Sequence, residues 1–83
     1  MSAEPTIHSF TLFFSGADVL EDERLNALYE VGCDDALFGE RDGVQYGAFD
    51  REARSLSEAL ASAIRDVTSA VKGLRIVRIE RSW

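Results

Sequence analysis

Ser55-Leu56-Ser57-Glu58-Ala59-Leu60-Ala61-Ser62-Ala63-Ile64-Arg65-Asp66-Val67-Thr68-Ser69-Ala70-Val71-Lys72-Gly73 is the stretch against which the rest of the chain must pack. Ser55 and Glu58 make a capping-box pattern, in which the hydroxyl accepts an orphan amide of the first turn and the glutamate reaches back to the cap. Leu56, Ala59, Leu60, Ala63, Ile64, Val67 and Val71 recur at helical spacing, with Ser57, Glu58, Ser62, Arg65, Asp66 and Ser69 opposite. That is one apolar stripe on an amphipathic helix. Lys72 and Gly73 suit a helix that stops by entering the left-handed region. Such a stripe needs a sheet or another helix to cover it.

Working outward, Leu74 to Glu80 reads as a strand with arginines spaced along it. At the other end Thr6 to Phe14 is rich in aromatic and β-branched residues and has no helical period, which predicts a first strand. Of its two faces, His8, Phe10, Leu12 and Phe14 make the better buried set, leaving Ile7, Ser9, Thr11 and Phe13 opposite. Ser15-Gly16-Ala17 turns the chain. Asp18 with Glu21 repeats the capping pattern, so a first helix is expected over roughly Val19 to Val31, burying Leu25, Leu28 and Tyr29 and ending at Gly32. Ala36-Leu37-Phe38-Gly39 and Val44 to Phe49 flank Asp42-Gly43, a strong hairpin signal.

The order β-α-β-β-α-β predicts a single α+β domain over residues 1–83 of the ferredoxin-like kind. Its four-stranded antiparallel sheet would have the first and third strands central and both helices on one face. The other face then has no cover within the chain, which predicts a contact surface, or a homodimer, through Ile7, Phe13 and Tyr46.

With 83 residues the chain has room for one core, and a domain of this size buries only about 60–65% of its unfolded surface. Its 46% hydrophobic and 29% charged residues are those of an ordinary globular domain. No apolar run approaches the ~20 residues of a membrane span, and Met1 to Pro5 lacks a secretory signal, so a cytoplasmic protein with no membrane contact is expected. The single Cys33 has no partner for an internal disulfide.

The net charge of −6 is unevenly spread. Nine acids lie between Asp18 and Asp42 against only Arg24 and Arg41, whereas Lys72, Arg75, Arg78 and Arg81 face only Glu80 near the other end. A large basic face is lacking, so direct nucleic-acid binding is not expected.

Gly32-Cys33-Asp34-Asp35-Ala36, Phe49-Asp50-Arg51-Glu52-Ala53 and Ser62-Ala63-Ile64-Arg65-Asp66-Val67 resemble the N-terminal part of small, poorly characterised bacterial proteins that usually continue into a helix-turn-helix DNA-binding segment. The resemblance spans roughly Phe10 to Ile79. The sequence ends at Trp83 without room for such a segment, so DNA binding does not carry over and the resemblance implies a detached accessory domain.

No pattern of catalytic residues stands out. Asp34 and Asp35 lack the further His, Asp or Glu a metal site needs, and a structural ion pair of one of them with Arg51 is preferred. Cys33 follows the wrong end of a helix for thiolate activation and reads as a small buried hydrophobe. His8 reads as a packed or edge histidine, and Trp83 as a frayed end or an interface anchor. There is no phosphate-binding glycine loop, triad spacing or zinc motif, so neither enzyme activity nor a cofactor is expected. Asp22, Glu23, Glu30, Asp34 and Asp35 are either solvated surface or a phosphate-mimicking face for a protein partner with a basic surface. The function expected is thus that of a small acidic protein-binding module, an antitoxin or a phage inhibitor of the anti-CRISPR kind that neutralises a nucleic-acid-handling protein. The alternative is a self-associating regulatory or small-molecule-sensing domain.

Overall fold

A computed structural model describes residues 4–81; Trp83 lies outside the described residues. In chain order the elements are β1 (Thr6–Ser15), α1 (Asp22–Glu30), a single 3-10 turn (Cys33–Asp35), β2 (Ala36–Arg41), β3 (Val44–Ala53), α2 (Leu56–Ala70) and β4 (Arg75–Arg81). The strands form one sheet in the order β2-β3-β1-β4, every neighbour antiparallel. The fold is therefore α+β, with β1 and β3 at the centre of the sheet.

The hairpin turns at Asp42 and Gly43, both with positive φ (53° and 79°), a primed turn whose twist matches that of the strands it joins. Both flanking strands run beyond the apolar stretches that announce them. β2 continues to Arg41 and β3 to Ala53, because Thr6 to Phe10 of β1 supplies ladder partners for Ala53 to Phe49.

Alternation along β1 turns Phe10, Leu12 and Phe14 to the helices, where they join Phe49 of β3, Leu28 of α1 and Ala59, Ala63 and Val67 of α2 in one core. The Phe10 and Phe49 rings stack at 5.4 Å. Ser55 accepts the Glu58 amide at 3.1 Å and so caps α2. The fully buried residues of α2 are the small ones, one per turn, which lets the helix approach the aromatic side of the sheet closely. Leu60 and Ile64, expected mid-stripe, instead sit half-buried on its flank.

The first helix departs most from expectation. It begins at Asp22, and Glu21 occupies the cap position without a side-chain hydrogen bond. Asp18 bonds locally instead, its Oδ1 accepting the Leu20 amide at 2.9 Å and the Gln45 side chain at 2.7 Å, while Gln45 Oε1 accepts the Val19 amide at 2.8 Å. Such a local side-chain bond competes with helix formation. It keeps residues 18–20 as a loop whose Val19 plugs the core. Leu28 is the one residue of α1 that is fully enclosed; of the others expected in the core, Leu25 is half-buried and Tyr29 is exposed.

Candidate functional site

Three groups of residues merit attention: an arginine cluster between the layers, the acidic side of α1, and the sheet face away from the helices.

Arg51 follows Phe49 on the helix side of β3 and is only 7% exposed. Its Nε and Nη2 reach the two oxygens of Asp35 at 2.8 and 3.1 Å, and Nη1 donates to Asp66 at 2.9 Å and to Ser62 at 3.1 Å. Nη2 also donates to the Gly32 carbonyl at 3.2 Å. Burial alone would favour losing the proton, but the Asp35 and then the Asp66 carboxylate outweigh it and hold the guanidinium charged, above the ordinary arginine value. Of the two adjacent aspartates it is Asp35 that pairs; Asp34 is exposed and stands outside the cluster. Asp66, placed on the solvent side of α2 by periodicity, closes the cluster. Its spacing of four from Ser62 was the available signal, since both then point the same way from one helix. With every donor answered, the cluster ties α1's exit, β3 and α2 together, and it offers no vacant group for chemistry.

Cys33 is completely enclosed beside this cluster. Desolvation pushes its thiol up to about 11, with the Arg51 charge opposing, so at neutral pH it is a protonated, unreactive packing group. His8 Nε2 lies 3.1 Å from the Ala53 carbonyl oxygen and from Thr6 Oγ1, a strand-end bracing role. Among the described residues no group of three His, Cys, Asp or Glu could hold a metal ion, and no helix is long and apolar enough to cross a membrane.

The acidic residues divide. Asp22 and Glu23 lie in the first turn of α1, where negative charge is favoured by the helix dipole. Glu30 ends the helix with no basic residue in that turn, and exposed Asp34 follows after the bend. Asp22, Glu23, Asn26, Tyr29 and Glu30 form the exposed side of the helix. Asp35 belongs to Arg51, so the acidic surface open to a partner is Asp22, Glu23, Glu30 and Asp34.

On the far face of the sheet, Tyr46 of β3 lies beside Phe13 of β1, ring centres 6.3 Å apart. Phe13 is not available as an exposed contact: it is 9% exposed, with the Arg78 guanidinium 4.3 Å above its ring. Arg41 stands over Tyr46 at 5.8 Å. A shallow cleft of about 480 Å³ lies between the two arginines, floored by Phe13, Val44 and Val77. The apolar side chains on this face that reach solvent are Leu37 (71% exposed), Ile7 (59%), Val77 (57%) and, less so, Val44 (40%). Ile7 was legible from the alternation of β1. Leu37 and Arg41 could have been found by counting alternate residues back from the Asp42-Gly43 turn, whereas Val77 owes its position to an irregular register between β1 and β4 at Phe13/Phe14.

No protein-family model, no curated protein and no solved structure matches the chain. The resemblance to the helix-turn-helix proteins therefore rests on its short motifs alone.

Proposed function

We propose that this is a ferredoxin-like module that acts by occupying a protein partner, a small acidic inhibitor or neutraliser of a nucleic-acid-handling protein, as an antitoxin or an anti-CRISPR protein would be. The βαββαβ order with β1 and β3 central supports the ferredoxin-like assignment. The observation that carries the functional reading is the placement of Glu30 and Asp34. Glu30 puts negative charge at the C-terminal end of α1, where the dipole disfavours it, with no basic residue in that turn, and exposed Asp34 adds to it just beyond the Gly32 bend. Charge that costs the fold something is most simply explained by a partner's cations. Asp22, Glu23 and Glu30, spaced along one side of a helix, would meet a groove built for phosphates.

Capture from the native cell tests this. Wild-type protein should retain a nucleic-acid-handling protein with a basic surface, and the Asp22→Lys/Glu23→Lys/Glu30→Lys variant should not. Equal capture by both would defeat the acidic-face reading.

A second reading, a self-associating regulatory or small-molecule-sensing domain located in the same cell compartment, the cytoplasm, draws on a different observation. The outer sheet face keeps Leu37, Ile7 and Val77 in water with a cleft between two arginines, a surface of the kind that marks an interaction site.

A further inference from the structure

The strand registers give the outer sheet face a polarity. Across its middle runs the row Leu37, Ala48, Thr11 and Glu80, one residue from each strand. Toward the hairpin end lie Tyr46 and Arg41 (the latter opposite Val44), with Arg78 opposite Phe13 and Arg75 opposite Ser15. Asp42 and Glu80 partly offset these cations, Glu80 through a 2.7 Å ion pair with Arg78. Toward the other end the same face of β3 carries Asp50 and Glu52, both exposed, beside Ser9 and Ile7 of β1. The face therefore has a cationic, aromatic end and an anionic end on either side of a small-residue centre.

We propose that this face takes a second copy of the same chain, sheet against sheet, about a two-fold axis lying along the Leu37-Ala48-Thr11-Glu80 row. The proposal rests on the self-association reading and is independent of the acidic helix. Rotation about that axis reverses strand direction while keeping β2 over β2 and β3 over β3. Arg41 and Glu52 are displaced from the row by equal and opposite steps, four residues along β3 from Ala48 in each direction through the Arg41–Val44 pairing. The partner's Glu52 is thus brought over Val44, one strand from Arg41 and within reach of its long side chain. Tyr46 and Asp50, two residues either side of Ala48, are matched in the same way, and Leu37 meets its own copy at the axis; Glu80, at the far end of the row, also meets its own copy, its charge answered within each chain by Arg78 at 2.7 Å. The other two-fold arrangement, with its axis along the strands between β3 and β1, would lay β2 over β4, stacking Arg41 over the Arg75–Arg78 stretch of the second copy, and would leave Asp50 and Glu52 one strand from their own copies. Like-charge contacts disfavour it. The small side chains of Ala48 and Thr11 at the centre allow the aligned packing that two twisted sheets adopt. The strands of 10, 6, 10 and 7 residues give a footprint of roughly 500 Å² per chain, near the low end for specific interfaces. A reversible dimer with a dissociation constant on the order of micromolar or weaker is expected.

Sedimentation equilibrium tests this with wild type, Arg41→Glu, Glu52→Arg and an equimolar mixture of the two variants, folding being checked by circular dichroism. Because a two-fold contact is made twice, either variant should weaken dimerisation by on the order of tenfold or more. The mixture should restore it, since every reversed charge then meets its opposite. A wild type that stays monomeric up to about 1 mM, variants that dimerise like wild type, or a mixture that does not recover would each overturn the arrangement. Should a reversed variant fail to fold, Leu37→Cys provides a second readout. It should cross-link to its own copy on oxidation while Ile7→Cys does not, and the reverse pattern would contradict the axis. Asp22→Lys/Glu23→Lys/Glu30→Lys should dimerise as wild type does, which separates this outcome from loss of partner binding.

Discussion

Arg51 holds Asp35 by both carboxylate oxygens, Nε to Oδ2 at 2.8 Å and Nη2 to Oδ1 at 3.1 Å, and so fastens the turn after α1 to the central strand β3. The remaining donors reach Asp66 and Ser62 on α2. Removing the arginine would leave two partly buried carboxylates without their counter-charge. Arg51→Met is expected to destabilise by about 3–5 kcal/mol, Asp35→Asn or Asp66→Asn by about 1–3 kcal/mol, and Asp34→Asn by no more than about 0.5 kcal/mol. Urea denaturation of the four variants would show it. An Asp34→Asn loss as large as that of Asp35→Asn would mean the wrong aspartate has been assigned.

Packing under α2 gives a second expectation. Val67 is fully enclosed, and Val67→Ala should cost about 1–3 kcal/mol through the cavity it leaves. Ala63 is fully enclosed in the core between α2 and the sheet, so Ala63→Leu should cost about 1–3 kcal/mol by overpacking. Leu60→Ala, at a half-buried position, should cost less than full truncation of a core leucine. If Ala63→Leu were neutral, the close helix-to-sheet approach would be in error.

Much of this arrangement was legible in the sequence. Helical period in α2, period-two alternation in β1 and the Asp42-Gly43 turn are local signals, and the core residues Phe10, Leu12, Phe14 and Val67 follow from them. What escaped depends on contacts distant in sequence. Asp18 looks like a helix cap until Gln45, 27 residues on, claims its carboxylate, and α1 then starts later than its pattern implies. Asp66 looks like a solvent-side residue until Arg51 is known to point at α2. Phe13 looks exposed by alternation, but Arg78 of β4 folds over it. In each case a side chain long enough to cross between elements decided the outcome, and periodicity carries no information about reach.

Cys33 supplies a pH-dependent expectation. Its thiol is raised in the folded state, from 9.0 to about 11, chiefly by desolvation. A raised value means that the folded state prefers the protonated thiol, so this contribution is complete below pH 9 and is lost as pH rises toward 11. The loss is at most about 2–3 kcal/mol. Thermal melts between pH 8 and pH 11 should fall more steeply for wild type than for Cys33→Ala. Parallel profiles would refute the assignment. Below pH 9 a thiol reagent should modify Cys33 only on unfolding.

Asp18 works in the opposite sense. Its hydrogen bond from Gln45, and then that from the Leu20 amide, lower its carboxyl below the ordinary 3.8. The stabilising bond is therefore present above pH 3.8 and disappears as pH falls through the lower folded value. Gln45→Ala should remove most of this acid sensitivity and loosen residues 18–20 in amide exchange. Unchanged exchange there would show that the loop is held by other contacts.

The acidic side of α1 is where the proposed function is most exposed to refutation. Asp22, Glu23 and Glu30 are exposed, apart from the Arg51 cluster and on the opposite layer from the outer sheet face, so reversing them should disturb neither. The most direct measurement is the affinity of the Asp22→Lys/Glu23→Lys/Glu30→Lys variant for the captured partner at two salt concentrations, with circular dichroism as the folding control. The expected result is a loss of at least about tenfold at low salt, shrinking as salt screens the wild-type complex, with an unchanged spectrum. An affinity equal to that of wild type at both salt concentrations would contradict the acidic-face account.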